Sequence, residues 1–198
     1  MKYLSIFLLV LVFSCSSEEK NTNKISFEVS KAIHVKMTFE RLAEFENDLE
    51  KKKELQSLYT SLNIDSNPRF IGWKINESKQ QLLKDFIENN KKDLLLDKND
   101  SFVWKKQQKE VFLFQKNNKE TLNLSRAIKS YTINGNSLEI TLIPEGVKAL
   151  RTYTLQSINK TLLLQINNQL VSVVIALGDF KDGSLIINNL DPKFLKSI

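Results

Sequence analysis

The stretch at 128–146, IKSYTINGNSLEITLIPEG, decides the fold because it encodes two strands, the turn between them and the start of a helix. The turn is NGN at 134–136, and Asn and Gly tolerate the positive φ angles that tight hairpin turns require. Apolar residues alternate on both sides of this turn, so strands are predicted at Ile128–Ile133 and Ser137–Leu142. Pro144 follows at a place where the first turn of a helix accepts proline.

The residues after this stretch continue the same kind of pattern. The helix is predicted to end near Asn159. Helical spacing gives it one buried stripe, formed by Val147, Leu150, Thr154, Leu155 and Ile158. Strands are predicted at Thr161–Ile166 and Gln169–Ala176, around a tight turn at 167–168, and at Ser184–Ile187. The order of hairpin, helix, hairpin and strand indicates an α+β fold, a mainly antiparallel sheet with helices packed on one face.

Upstream, an extended segment is predicted to precede a long amphipathic helix. Alternation of period two marks residues 25–37 as extended, with apolar positions at Phe27, Val29, Ile33 and Val35. A helix is predicted at Phe39–Leu62 with Thr38 as its N-cap. It ends before Pro68, because proline disfavours helical conformation in the residue before it.

Shorter elements are predicted between this helix and the C-terminal half. A strand is predicted at Arg69–Ile75, and Ser78 with Gln81 has the spacing of a capping box that opens a helix ending at Asn89. That helix has an apolar face, formed by Leu82, Leu83, Phe86 and Ile87. Three strands follow, at Asp93–Leu96, Phe102–Trp104 and Val111–Phe114. The last two flank a polar hairpin or loop at Lys105–Lys109.

Five segments of the C-terminal half occur in an order and spacing that resemble one known family. They are LNLSRAI at 122–128, LEITLIPEG at 138–146, residues 158–168 with the strand LLLQINN, Val171-Ser172, and DGSLII at 182–187. Together they are similar to the head part of the first periplasmic domain of SecD and SecDF, which are accessory subunits of bacterial protein export. The second segment resembles the point where a strand of that head leads into a helix.

The resemblance covers residues 110–188 closely and residues 68–110 in outline. It implies a SecD/SecDF-head-like domain at 68–190, after an N-terminal strand and amphipathic helix at 25–67. It also implies a domain that handles exported polypeptide near the exit of the translocon. In SecD and SecDF the proton path lies in transmembrane helices, and the sequence predicts none after the leader. Binding or guiding a partner is therefore expected, without proton-driven work.

Three positions depart from the family pattern. Asn159 replaces a glycine, residues 167–168 are Asn-Asn where the family has Asp-Gly, and Val174 stands where proline is usual. Asn is the best non-glycine residue at positive φ, so the turns are expected to persist.

The N-terminus has the pattern of a lipoprotein signal. One positive residue is followed by an apolar run at 3–12 and by the small Ser14, directly before Cys15, the only cysteine of the chain. The run is shorter than the roughly 20 apolar residues that a transmembrane helix needs. The segment resembles the lipobox of bacterial lipoproteins, to which Val12 and Ser14 conform, whereas Phe13 is bulkier than the usual residue.

This second resemblance implies a signal peptide at 1–14, followed by a lipidated Cys15 and a polar tether through residue 24. Palmitate or a related acyl chain on Cys15 would hold the protein on a membrane. The predicted location is the bacterial cell envelope, facing the periplasm or the cell surface. The alternative is an ordinary signal peptide with a chance cysteine.

Composition and charge narrow the classes of partner. Hydrophobic residues make up 41% of the chain and charged residues 26%, as in globular proteins with a core. The chain has 29 Lys and Arg against 23 Asp and Glu, and removal of the leader with its one lysine leaves 28 against 23. The basic residues are interleaved with acidic ones rather than grouped in a stripe, so no nucleic-acid partner is expected. An anionic membrane surface or acidic protein segments are compatible with this mild excess.

No set of residues predicts catalysis, a cofactor or a metal site. His34 is the only histidine and lies in an apolar stretch, so a structural role is expected. Glu139 is expected to face solvent from a strand, and Glu145 to interact with the positive end of a helix. We therefore predict a protein that is not an enzyme.

Four aromatic residues at strand spacing have two interpretations: Trp73, Trp104, Phe112 and Phe114. They belong to the core, or they form an apolar surface that holds a peptide.

Three functional hypotheses follow. The first is a membrane-anchored lipoprotein that binds exported polypeptide or an envelope protein as an accessory of protein export. The second is a lipid-tethered structural or immunity-type module that binds one dedicated partner protein. The third is a ligand-binding lipoprotein, which requires a concave apolar pocket with a few convergent polar groups.

The lipid anchor is tested by the variant Cys15→Ser, with Ser17→Ala as the matched control. Loss of the acylated thiol should leave the variant in the soluble fraction or block its maturation, and it should not incorporate labelled palmitate. The control should fractionate with membranes and incorporate the label. A Cys15→Ser protein that still does both would show that the anchor lies elsewhere.

Overall fold

A computed structural model describes residues 25–45, 49–62, 71–94, 100–180 and 182–198. Within these residues the chain is α+β, with antiparallel pairing in both of its sheets. The strands are β1 (Phe27–Ile33), β2 (Trp73–Asn76), β3 (Ser101–Gln107), β4 (Glu110–Asn123), β5 (Ile128–Asn134), β6 (Ser137–Leu142), β7 (Thr161–Ile166), β8 (Gln169–Ile175) and β9 (Ser184–Ile187). The helices are α1 (Val35–Phe45), α2 (Leu49–Leu62), α3 (Gln80–Asn89), α4 (Lys91–Leu94), α5 (Pro144–Leu155) and α6 (Pro192–Leu195).

The larger sheet is built around β4, which pairs with β1, β2 and β3. β1 also pairs with β7, and β7 pairs with β8. β1 and β2 pair with successive parts of β4, because Val29 lies opposite Leu122 whereas Trp73 lies opposite Leu113. Along the chain, helices α1 and α2 therefore come between β1 and β2, two strands that both pair with β4.

The smaller sheet has the strand order β5-β6-β9. Its hairpin has the turn that the sequence predicts, with Gly135 at a φ of 60° and Asn134 paired with Ser137. Pro144 occupies the first turn of α5, and the main-chain N–H of Ile143 donates to the oxygen of Ala127 at 2.9 Å. The predicted hairpin-to-helix unit is therefore confirmed.

Three apolar clusters form the core. The largest lies between the smaller sheet, α5 and one side of β1 and β7. The second lies beneath helices α1 to α4 and includes Val111 and Leu113 of β4. The third is small and contains Phe114, Leu163 and Leu170. Because Leu113 and Phe114 are adjacent in β4 and point to opposite faces, β4 has an apolar cluster on each side.

The N-terminal helical region begins earlier than the sequence predicts. β1 ends at Ile33 and α1 begins at Val35, so the predicted extended segment through Met37 is wrong over its last residues. Val35 and Phe39 are both fully buried and are four residues apart, a spacing that fits the alternating and the helical pattern equally. The predicted N-cap, Thr38, lies inside α1 and donates from Oγ1 to Gln115 Oε1 at 2.5 Å.

The predicted capping box at Ser78 and Gln81 is also wrong. α3 begins at Gln80, after a 3-10 turn at Glu77–Lys79, and the side chain of Asn76 caps that turn. The Oδ1 atom of Asn76 accepts from the main-chain N–H of Ser78 at 3.0 Å and from its hydroxyl at 2.8 Å. Asn76 thus binds the main-chain N–H and the hydroxyl of Ser78, the two groups through which Ser78 would have formed the capping box with Gln81. On α3, Leu83, Phe86 and Ile87 are buried as predicted, whereas Leu82 is exposed.

The predicted strand at Asp93–Leu96 is wrong where it falls on described residues. Asp93 and Leu94 belong to α4, and the N–H of Leu94 donates to the oxygen of Asn90 at 2.9 Å. Leu94 is buried in the cluster beneath the helices, so its apolar character serves a helix rather than a strand. Residues 95 and 96 lie outside the described residues, as does the predicted break at Pro68.

The remaining predicted strands are present with shifted ends. The strands predicted at 102–104 and 111–114 are confirmed and extend further, as β3 and β4. The strand predicted at 69–75 is present as β2, which begins at Trp73. α5 ends at Leu155, before the predicted Asn159. Leu155 and Ile158, from the predicted buried stripe, are exposed.

The asparagine turns at residues 159 and 167–168 adopt the expected conformation. Asn159, Asn167 and Asn168 have φ angles of 61°, 47° and 64°. Asn tolerates this left-handed region better than other residues with a side chain. The expectation that the turns persist is therefore confirmed.

Gly72 directly precedes β2 and lies close to β4, and its substitution by alanine tests how close this approach is. A Cβ at this position would lie 2.6 Å from Phe114 Cε1 and 2.7 Å from the main-chain oxygen of Leu113, whereas a Cβ at Gly178 would meet nothing within 4 Å. We expect Gly72→Ala to lower the free energy of unfolding by ~1–3 kcal/mol, the usual cost of overpacking. Gly178→Ala is the matched control and should leave stability unchanged or slightly raised. Urea denaturation measures both, and equal stabilities would contradict the close approach.

Candidate functional site

A groove of about 1160 Å³ lies between β3, the start of β8 and the C-terminal segment 188–197. β3 and β8 lie at opposite ends of the larger sheet, yet Val103 of β3 and Val173 of β8 pack on the same small cluster. The Nζ atom of Lys105 also donates to the main-chain oxygen of Val171 at 2.9 Å. The sheet therefore curves until its two end strands face each other, and the groove is lined by both of them.

The two strands that border the groove are edge strands within the described part of the chain. There, β3 pairs only with β4, and β8 pairs only with β7. An edge strand presents main-chain N–H and C=O groups that can pair with another extended chain.

Apolar and polar side chains share the lining of the groove. Leu170, Leu190 and Phe194 supply its apolar part, whereas the side chains of Phe102 and Trp104 in β3 also pack against the cluster beneath the helices. Leu170 and Phe194 are buried, whereas Trp104 is partly buried and has the ammonium group of Lys84 at 5.7 Å from its ring centroid. Amide side chains also line the groove, at Gln108, Asn168 and Asn189, and all three residues have positive φ angles.

The charge of the lining is basic. Lys105, Lys106 and Lys193 line the groove, against one acidic residue, Asp191. The Oδ1 atom of Asp191 accepts from the main-chain N–H of Lys193 at 2.8 Å and caps the short helix α6. Lys106 forms an ion pair with Glu77, so its charge is matched by a residue outside the lining.

Lys105 differs from the other two lysines because it is partly buried. It lies two residues after Val103 in β3, so both side chains point to the side of the sheet that holds the small cluster. Burial lowers the pKa of its ammonium group, because a less hydrated environment disfavours the charged form. Among the described residues no carboxylate forms an ion pair with it, and its ammonium group donates to the oxygen of Val171.

The same side of the sheet also holds two buried oxygens without partners among the described residues, Ser30 Oγ and Gln165 Oε1. Gln165 lies directly opposite Leu170 in the β7–β8 ladder, so both side chains share one face. Gln165 is 4% exposed, and its Nε2 atom donates to the oxygen of Asn168 at 3.4 Å. A buried acceptor without a donor costs free energy, and neither Ser30 nor Gln165 belongs to the described lining of the groove.

The residues weighed in the sequence are distributed over the fold. Trp73 and Phe114 are 3% exposed, which confirms the interpretation as core for these two. Phe112 packs partly buried against the small cluster, and Trp104 alone of the four lines the groove. The aromatic residues therefore do not form one common surface.

His34, Glu139 and Glu145 lie at separate places in the fold. His34 connects β1 to α1, and its buried Nδ1 atom has no hydrogen-bond partner among the described residues. Glu139 is partly buried in the middle of β6, opposite Thr132. Glu145 is exposed in the first turn of α5, where the sequence places it. Cys15, the signal peptide and the tether lie outside the described residues.

The groove is not among the sites that the sequence predicts. Lys105 falls in the predicted polar hairpin or loop, and neither Gln165 nor residues 188–197 is a predicted site. The alternation of Val103 and Lys105 in β3 is a signal that a lysine shares a face with an apolar residue. The sequence contains no comparable signal for the meeting of β3 with β8.

Within the described residues, no group of three or more His, Cys, Asp and Glu side chains is placed to hold a metal ion. None of the helices in the same residues combines the length and the apolar character needed to cross a membrane.

Comparison with protein-family models, with curated proteins and with solved structures finds no match to this chain.

The position of Lys105 predicts a lysine that loses its proton below the ordinary lysine value of 10.5. The titration of its ε-carbon in a ¹³C NMR spectrum should show this, with Lys105→Arg used to assign the signal. Because the unfolded chain binds the proton more tightly, the free energy of unfolding should rise with pH between the two pKa values. Wild type should therefore gain stability relative to Lys105→Gln as the pH rises toward 10.5. A midpoint at or above 10.5 would contradict the burial of this amine.

Proposed function

We propose that this chain is a lipid-anchored, non-enzymatic module of the bacterial cell envelope that binds extended polypeptide as an accessory of protein export. The observation that supports this function best is the groove between two edge strands. Both strands present main-chain groups beside it, together with apolar and amide side chains. Addition of an extended peptide to an exposed strand edge is a common mode of recognition.

The size and lining of the groove favour a polypeptide over a small molecule. Small-molecule pockets usually measure about 300–1,000 Å³ and are mostly apolar. This groove, at about 1160 Å³, exceeds that range, and lysine and amide side chains line it beside the apolar ones. These features also weigh against the hypothesis of a ligand-binding lipoprotein.

The sequence resemblance supports the same function. The segments similar to the SecD/SecDF head imply a domain that handles exported polypeptide, and the α+β fold with mainly antiparallel sheets is compatible with such a head. A SecD/SecDF-head-like domain at 68–190 is the finer assignment that belongs to this proposal.

The lipid anchor would keep the groove near the membrane. The described chain begins beside it, because the N–H of Ser26 donates to Asn167 Oδ1 at 2.9 Å and the next residue, Asn168, lines the groove. Ten residue steps lead from Cys15 to Ile25, and a chain of that length spans at most about 36 Å. Acylation of Cys15 would therefore hold the groove within about that distance of the bilayer surface.

Site-specific photo-crosslinking in intact cells tests the proposal. A benzophenone side chain replaces Gln169, which is exposed and lines the groove, in the full-length chain. The matched control replaces Lys148, which is exposed on α5 and is not part of the groove lining. We expect the Gln169 probe to crosslink several exported or envelope polypeptides, and the Lys148 probe to crosslink none of them.

Two other results have defined meanings. A single stoichiometric partner at Gln169, without a secretion defect on deletion, would replace this proposal with the dedicated-partner hypothesis. Equal crosslinking at both positions, or none at Gln169, would show that the groove does not bind polypeptide.

A further inference from the structure

The charges around the groove select among polypeptides, an inference that rests on the proposed polypeptide-binding function. We propose that the groove binds extended segments with acidic side chains, and that a carboxylate of the bound segment pairs with Lys105 Nζ. The main chain of the segment pairs with the edge of β8.

The ammonium group of Lys105 can donate more hydrogen bonds than the one it makes to Val171. An ammonium group has three N–H donors, and the hydrogen bond to the oxygen of Val171 occupies one of them. A carboxylate is the strongest acceptor that a polypeptide side chain supplies to an ammonium group. Because Lys105 is partly buried, salt screens such a pair less than it screens a pair in open solvent.

The other charged residues of the lining also favour the binding of a carboxylate. Lys193 is exposed at the border of the groove, whereas Lys106 points to the other face of β3 and is ion-paired with Glu77, so the positive charge comes from Lys105 and Lys193. Asp191, the acidic residue of the described lining, already accepts a hydrogen bond at the start of α6. An incoming carboxylate therefore meets a net positive lining, whereas an incoming lysine or arginine meets like charges.

A polypeptide fits this lining better than the headgroups of an anionic membrane. The amide side chains of Gln108, Asn168 and Asn189 line the groove, and their oxygens can accept hydrogen bonds from N–H groups. A peptide supplies N–H donors as well as carboxylates, whereas a phosphodiester supplies acceptors alone. Lys105 is also partly buried within a concave surface, away from the plane that a bilayer would contact.

Three synthetic decapeptides with blocked ends test the inference. Each alternates Thr with one other residue: Glu in the first, Gln in the second and Lys in the third. Each peptide carries an uncharged fluorophore on its N-terminal blocking group. The full-length protein in neutral detergent is added to each peptide, and the fluorescence anisotropy of the fluorophore reports binding.

We expect the Glu peptide to bind about tenfold more tightly than the Gln peptide, a ratio that corresponds to roughly 1.4 kcal/mol. The Lys peptide should bind most weakly. The preference for Glu should fall below about twofold in Lys105→Met and should persist in Lys105→Arg. The matched control Lys129→Met, an exposed lysine of β5 outside the groove lining, should keep the full preference.

The possible failures are distinguishable. If the Glu and Gln peptides bind equally, or if Lys105→Met keeps the preference, the acidic selectivity is wrong while polypeptide binding stands. If none of the peptides binds, the proposed function fails as well. If vesicles with 20% phosphatidylglycerol displace the Glu peptide and neutral vesicles do not, the lining recognises an anionic membrane and the inference is wrong.

Discussion

The burial of both faces of β4 at residues 111–115 is the constraint on which the rest of the structure depends. Leu113 points toward the helices and Phe114 points toward the small cluster, so neither side of this part of the strand faces water. A strand covered on both faces needs neighbours that supply apolar side chains in two directions. The helices provide one cover, and the curvature that brings β8 toward β3 provides the other. The groove follows from that curvature, because it opens where the two end strands face each other without pairing.

The sequence was sufficient for local structure and insufficient where tertiary contacts decide. The NGN turn, the proline at the start of α5 and the asparagine turns were correctly predicted, because each depends on the backbone preferences of a few adjacent residues. Thr38 was misassigned because a distant residue, Gln115, binds its hydroxyl. The start of α1 was misplaced because the spacing of Val35 and Phe39 fits two periodicities, and only the position of the helix above β4 distinguishes them. Leu155 is the last residue of α5 and Ile158 lies beyond its end, and both are exposed.

The candidate site is even harder to predict from the sequence than the fold, because it depends on contacts between distant residues. Lys105 and Val171 are separated by 66 residues, and nothing in the sequence around either residue indicates that they meet. The chemistry of the groove arises from this meeting, because it buries part of a lysine side chain beside a main-chain oxygen. Trp73 and Trp104 both lie opposite Leu113 and share the face beneath the helices, whereas Phe112 and Phe114 point to the other face of β4. What the sequence did indicate is the type of partner compatible with its charge, which includes acidic protein segments.

The placement of β1 determines when the fold can form. Its neighbours in the sheet come from much later in the chain, and the hydrogen bond between Ser26 and Asn167 spans 141 residues. Contacts of such long sequence separation require closure of long loops before any favourable contact is gained, and they slow folding. The larger sheet therefore cannot close until β7 is available. In a nascent chain β1 therefore stays without this neighbour, and its apolar side chains stay uncovered, until residues 161–166 have been synthesised.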